Sequence, residues 1–327
     1  MKFYSYITVF VISVLLVSCT QSPEVAISTH KCTPMPAGGR ASACACALEG
    51  KAYVFAGRDS SGTYLNDLWL YDAQTDTWHD LGIAPMKARV NATMTTDGER
   101  IYTGLGYSDK KAYHDTAYLY DWWEYTPATR QWKRLKDYPN KRTVAVVSFA
   151  SDGYIYALYG FGATGFTRDI CRYDIANDTW EFLPENTSRA IYNSGGCGAL
   201  FDGKYYFGTG YNTHNLTHWY AVTIDSDHWH RCASIPGKGR EFGACAASDK
   251  YIYMFGGRYF AGDLTGGEVF DTYMRYAPDH DQWEWCGQMP CGKSENLVAF
   301  RIGHKVYFGL GENEEGKVIN QLYCIEE

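Results

Sequence analysis

The sequence predicts an all-β fold, a six-bladed β-propeller of four-stranded sheets in a ring, on three observations. A Tyr-x-x-x-Gly frame recurs at Tyr53/Gly57, Tyr102/Gly106, Tyr156/Gly160, Tyr206/Gly210, Tyr253/Gly257 and Tyr307/Gly311, with Tyr spacings of 49, 54, 50, 47 and 54. A tryptophan series, Trp78, Trp132, Trp180, Trp229 and Trp283, keeps the same period. The third is composition: 28 Tyr and 33 Gly in 327 residues suit short aromatic strands joined by tight turns. Two markers in register mean one supersecondary unit repeated, and a ring of such units buries faces that a single unit would expose.

Each strand of the period has its own signal. A small-residue strand follows Arg40, a second spans Ala52 to Ala56, a third Leu68 to Tyr71, and a fourth begins at Trp78. Asp97-Gly98, Asp152-Gly153 and Asp202-Gly203 provide turns between first and second strands. Seven residues before the tryptophans stand Tyr71, Tyr125, Tyr173, Val222 and Tyr276; seven after stand Pro85, Pro139, Pro236 and Pro290, shortened to Pro184 in the third unit. The sixth unit has no Trp strand after Leu322-Tyr323-Cys324-Ile325. Counting back from Pro36 by seven lands on Thr29, so residues 29–33 are expected to supply that strand and close the ring, removing exposed edges. Cys32 and Cys324 then lie diagonally on neighbouring strands, where a disulfide can form.

Ahead of the repeats, Met1-Lys2 and the apolar run Phe3 to Ser18 read as a signal peptide too short for a comfortable membrane span. Its end, Leu16-Val17-Ser18-Cys19, resembles a bacterial lipobox. The expected organisation is a signal peptide at 1–18, a lipidated Cys19 with a tether at 19–28, and the ring at 29–327, anchored in the bacterial envelope. Thr20 rather than Asp after the cysteine points to the outer membrane. That compartment oxidises thiols, and ten cysteines remain besides Cys19. A net charge of −7 and a pI near 5.7 exclude nucleic acid as a partner.

Pro36 to Arg40, Tyr53 to Gly57, and Asn66-Asp67-Leu68-Trp69-Leu70-Tyr71-Asp72 followed by Trp78 resemble the repeats of the kelch family. The resemblance covers residues 30 to 327 and departs at the family's double glycine, kept here only as Gly256-Gly257. It implies that ligands meet the mouth of the central channel at two columns. One is the residue after the Tyr-x-x-x-Gly frame: Arg58, Tyr107, Phe161, Tyr211, Arg258 and Glu312. The other lies one or two past the lead-in arginine: Ser42, Asn91, Phe242, Asn296, Glu241 and Glu295. Long loops at Tyr107 to Thr116 and Tyr259 to Phe270 mark the same face. The lead-in arginines Arg40, Arg89, Arg142 and Arg240 are scaffold positions. Cys44 and Cys197 share an innermost-strand column with Thr93, Val146, Ala244 and Val298 and read as small core side chains.

Guanidinium groups, aromatic rings, amides and carboxylates around one rim suit a hydroxyl-rich or anionic small molecule. The first reading is a binding module for a glycan or sugar acid. The second makes Glu241 and Glu295 a general acid/base pair beside Arg258, since the family includes sialic-acid mutarotases. The third is a docking scaffold for another envelope protein. Neither metal nor cofactor is expected: the copper site of galactose oxidase, also kelch, needs two His and a crosslinked Tyr. The nine His here are scattered; His214 and His218 with His114-Asp115 sit on non-adjacent units. Gly-x-Ser-x-Gly, phosphate-loop and His-Glu-x-x-His motifs are absent.

Overall fold

The computed structural model describes residues 27–108, 117–140, 142–162, 165–167, 169–183, 193–223, 228–260 and 267–327, with backbone only at 142 and 228. The signal peptide, Cys19, most of the tether, Pro184, His114 and Asp115 lie outside these residues. Six antiparallel four-stranded sheets account for the repeats. Blade 1 consists of Cys44–Leu48, Lys51–Phe55, Asp67–Asp72 and Thr77–Ile83. Blade 2 consists of Thr93–Thr96, Ile101–Gly104, Trp122–Thr126 and Gln131–Arg134. Blade 3 runs Val147–Ser151, Tyr154–Leu158, Ile170–Asp174, Thr179–Phe182, and blade 4 Cys197–Phe201, Lys204–Gly208, Trp219–Thr223, His228–Cys232. Blade 5 runs Ala244–Ala247, Ile252–Phe255, Thr272–Ala277, Gln282–Gln288. Blade 6 takes Val298–Ile302, Lys305–Gly309 and Leu322–Glu326 from the C-terminal end and Thr29–Lys31 from the N-terminal end.

The closing strand pairs Thr29 with Ile325, His30 with Cys324 and Lys31 with Tyr323. Cys32 N–H then donates to Leu322 O at 2.9 Å, which sets Cys32 diagonal to Cys324. Each innermost strand lies against the next, and blade 6 lies against blade 1, so the ring is closed. Because successive side chains of a strand point to opposite faces, every inner strand feeds two neighbours at once. The core is accordingly a set of seams: Cys44, Cys46 and Phe55 pack on Met94 and Ile101 of blade 2, while Ala52 and Val54 pack on Val298 and Phe300 of blade 6. Seams between blades 2 and 3, 3 and 4, 4 and 5, and 5 and 6 repeat the plan.

The sequence markers have specific tasks at these seams. In blade 1 the Tyr71 hydroxyl donates to Asp76 at 2.7 Å, Asp76 accepts Thr33 N–H at 2.9 Å, and Trp78 Nε1 donates to Thr33 O at 2.9 Å. The hairpin turn of one blade thus latches the chain leaving its predecessor. Tyr173, Asp178 and Trp180 latch Lys136 in the same way, and Tyr276, Asp281 and Trp283 latch Ala233. The glycine of each frame is a second fastening. Gly57, Gly106, Gly160, Gly210, Gly257 and Gly311 donate to the carbonyls of Arg89, Thr143, Asn193, Arg240, Ser294 and Arg40, at 2.7 to 3.0 Å.

Two expectations shift by one residue in blade 3. Thr143, not Arg142, holds the lead-in carbonyl, and Val147, not Val146, pairs with Leu158 in the register that Cys44 shares with Phe55. The reason is a fixed distance of four residues from the preceding proline, seen at Pro36 to Arg40 and Pro236 to Arg240, which lands on Thr143 after Pro139.

Candidate functional site

One face of the ring is assembled by backbone. Each residue after the frame glycine bridges the residue that follows a lead-in position: Arg58 with Ala41, Tyr107 with Val90, Phe161 with Val144, Tyr211 with Ser194, Arg258 with Glu241, and Glu312 with Glu295. Two past each lead-in position, Ser42, Asn91, Ala145, Gly195, Phe242 and Asn296 are all left-handed, with φ between 53° and 69°. That conformation turns their N–H groups along the ring. Ser42 donates to Asn296 O, Asn91 to Ser42 O, Ala145 to Asn91 O, Phe242 to Gly195 O and Asn296 to Phe242 O, at 2.8 to 3.3 Å. These five links form a backbone collar that runs from Gly195 through Phe242, Asn296, Ser42 and Asn91 to Ala145, and they hold both predicted columns to one rim.

The rim is divided by chemistry. Arg58 forms an ion pair with Glu312, whose other oxygen accepts Asn296 Nδ2 at 2.9 Å. Arg258 Nη1 lies 3.4 Å from Glu295 Oε1, and its backbone exchanges both hydrogen bonds with Glu241. Blades 5, 6 and 1 therefore carry three carboxyls and two guanidinium groups. The opposite arc is aromatic: Tyr107 meets Tyr118 at 5.4 Å between ring centres, Phe161 meets Phe166 at 5.3 Å, Phe166 meets Tyr211 at 6.2 Å, and Tyr211 meets Phe260 at 5.4 Å. Between the arcs the Phe242 ring covers Gly195, where an added Cβ would stand 3.1 Å from it.

Burial is the first cause that raises both Glu241 and Glu295 to about 7. Arg258 pulls each back down, Glu295 adds to the rise of Glu241, and Glu312 adds to that of Glu295. Two neighbouring carboxyls thus exchange protons near neutrality beside one guanidinium.

Several site-facing residues escaped the sequence reading. Blade 4 has no lead-in arginine; Asn193 replaces it, its Nδ2 donating to Thr209 O at 2.5 Å, as Arg40 does to Ala56 O at 3.1 Å. Asn215 accepts Phe260 N–H at 2.6 Å, and its buried Nδ2 has no partner among the described residues. Ala145, Gly195 and Ser194 complete the columns in blades 3 and 4; counting from Ser42 and Asn91 by the repeat would have found them. Arg40 and Arg89 behave as scaffold, each bidentate to Asp67 or Asp121 at 2.8 to 2.9 Å. Arg240 differs: it stacks on Phe270 at 4.2 Å, donates to Gly256 O, and burial lowers it to about 10.

Six four-stranded meanders closed by the N-terminal strand, with one polar rim held by a backbone collar, define a six-bladed β-propeller. The chain belongs to the kelch-repeat family: the profile of the KLHDC2/KLHL20/DRC7 Kelch-repeats domain matches residues 11–207. Similar proteins include kelch-like protein 23 of Homo sapiens, 25% identical over 69% of this chain and 38% of that protein. An N-acetylneuraminate epimerase of Haemophilus influenzae is 28% identical over 41% of this chain and 34% of its own length. Beta-scruin of Limulus polyphemus is 24% identical over 47% of this chain and 17% of its length. The chain thus spans well under half the length of these curated relatives. The solved structure of YjhT shares the fold at a TM-score of 0.75, covering 90% of this chain and 97% of that one at 16% identity.

Proposed function

We propose that the chain is an envelope-anchored module that binds a carbohydrate, by preference a sugar acid, at the collar face. The observation that carries this reading is the division of the rim. Arg58 and Arg258 offer planar forks for a carboxylate, and the arc from Tyr107 to Phe260 offers flat faces for the apolar side of a sugar ring. With Glu241 and Glu295 protonated, the two guanidinium groups outweigh Glu312 and the charged arc attracts an anion. Anchoring rests on Cys19 and the lipobox before it.

A second reading, sugar mutarotation or epimerisation, is favoured by one observation: Glu241 and Glu295, on adjacent blades around Arg258, both titrate at about 7. In hemiacetal opening one group takes the anomeric hydroxyl proton while the other gives a proton to the ring oxygen, and closing reverses both transfers. A base and an acid near the working pH suit that exchange. The epimerase relative supports the same class of ligand.

Nuclear magnetic resonance with N-acetylneuraminate and a panel of monosaccharides tests both readings. Saturation transfer is expected for one sugar, with affinity falling about tenfold or more in Arg58→Ala and Arg258→Ala. Unchanged affinity in both variants removes the collar face as the site. Anomer exchange faster than buffer, lost in Glu241→Gln or Glu295→Gln, makes the chain an enzyme; silence across the panel leaves the docking scaffold. Detergent-phase partition of the full chain, lost in Cys19→Ala, checks the anchor.

A further inference from the structure

We propose that Cys197 and Cys245 form a disulfide that staples blade 4 to blade 5 below the collar. The two residues occupy opposite parities of neighbouring inner strands. Cys197 opens its strand opposite Gly208 and points into the seam with blade 5; Cys245 is the second residue of its strand, opposite Met254, and points back towards blade 4. Their Sγ atoms stand 2.7 Å apart. The corresponding pair at the seam of blades 2 and 3 is Thr93 and Ser148, whose hydroxyls share a hydrogen bond of 2.5 Å. The seam therefore brings first-position and second-position side chains of adjacent blades into direct contact, and here both are thiols. A disulfide needs a sulfur separation of about 2.05 Å, so closing it asks for a movement of about 0.7 Å, within the range of small χ1 adjustments.

Arg240, which stacks on the Phe270 ring instead of gripping a carboxylate, lies beside both sulfurs; burial and the neighbouring Cys197 push the Cys245 thiol well up, and the Arg240 charge opposes that rise and so assists the thiolate that attacks in exchange. The Tyr205 hydroxyl faces the same pair. Cys245 is the more exposed partner and is the first to react. With a small disulfide such as oxidised glutathione as oxidant, the Cys245 thiolate breaks the oxidant's S–S bond, forms a mixed disulfide and expels one thiolate. Cys197, deprotonated, then attacks the Cys245 sulfur, forming the interblade bond and expelling the second. Two protein thiols are oxidised, one oxidant disulfide is reduced to two thiols, and the protons from Cys197 and Cys245 end on those thiols. Cysteines outside this pair do not enter the step.

The test uses the full chain, incubated with oxidised glutathione, denatured with an alkylating agent present, and digested without reductant. The expected result is a peptide joining Cys197 to Cys245, lighter than its separate halves by two hydrogens. Alkylation at both cysteines, or pairing of either with a different cysteine, overturns the proposal. A second measurement compares melting with and without reductant in the oxidised wild-type chain and in a Cys197→Ser/Cys245→Ser variant, which restores the hydroxyl pair of the neighbouring seam. Reductant is expected to lower the wild-type midpoint by about 5 °C and the variant's by clearly less. An equal drop in both overturns it.

Discussion

Glu241 and Glu295 are 8% and 6% exposed, yet each must hold a carboxyl that water would ionise at pH 4.5. Their raised pKa values carry a definite sign for stability. Between about pH 4.5 and 7 the native state keeps protons that the unfolded chain has released, so stability falls as pH rises through that window and levels off above it. Asp67 and Asp121 act in a separate window: burial opposes their ionisation, but Arg40 and Arg89 override it and hold them below 3.8, so their contribution is lost only in stronger acid. Glu241→Gln or Glu295→Gln removes one of the raised groups. Each variant is expected to flatten the decline between pH 4.5 and 7 and to be more stable than wild type above pH 7, by about 1–3 kcal/mol. Denaturant melts across pH check it; variants that follow the wild-type slope would show that the two carboxyls titrate normally.

At the scale of the element, the double glycine of the kelch pattern is a pair of consecutive left-handed residues. Both members have positive φ in every blade, from Ala56 at 63° and Gly57 at 92° to Leu310 at 55° and Gly311 at 83°. The second must remain glycine for a reason beyond conformation. A Cβ on Gly57 would stand 2.7 Å from the Ala41 carbonyl oxygen, which accepts Arg58 N–H at 2.9 Å and thereby sets Arg58 on the rim. Gly50 also has positive φ, at 75°, but open space around it. Gly50→Ala is therefore expected to cost about 1 kcal/mol, whereas Gly57→Ala should cost about 2 kcal/mol or more and displace Arg58 from the rim. Equal unfolding midpoints for the two would deny the contact. The frame itself was readable because Tyr and Gly repeat; the latch was readable only as spacing. Asp76, Asp178 and Asp281, which join Tyr to the preceding blade, stand two residues before Trp, as Asp227 does in the sequence of blade 4, but blade 2 has Arg130 there and blade 4 has Val222 in place of the Tyr, which blurs the pattern.

Over the whole molecule, what the sequence expressed in side chains was legible and what it expressed in backbone was not. Arg58, Arg258, Glu295 and Glu312 fall on one arc as their columns required. The collar rests on N–H and C=O groups, so Ala145 and Gly195 serve it without any side chain that a motif could register. The same distinction governs closure of the ring. Thr29–Lys31 has no hydrophobic signature, but it covers the edge of Leu322–Glu326, and the residues after it fasten the last seam. Cys32 N–H reaches Leu322 O, Gln321 Nε2 reaches Cys32 O, Thr33 N–H reaches Asp76, Trp78 Nε1 reaches Thr33 O, and Met35 N–H reaches Asn320 O. Removing residues up to Pro34 deletes the strand pairing and most of these bonds and leaves an unpaired edge on blade 6. The truncated chain is expected to lose on the order of 5 kcal/mol or more, and to self-associate through that edge. A synthetic peptide of residues 27–34 added in excess should bind the open edge, raise the melting temperature and return the chain to a monomer. Calorimetry and sedimentation decide the matter: a truncated chain that stays monomeric and melts with the wild type would mean that the ring holds without its N-terminal strand.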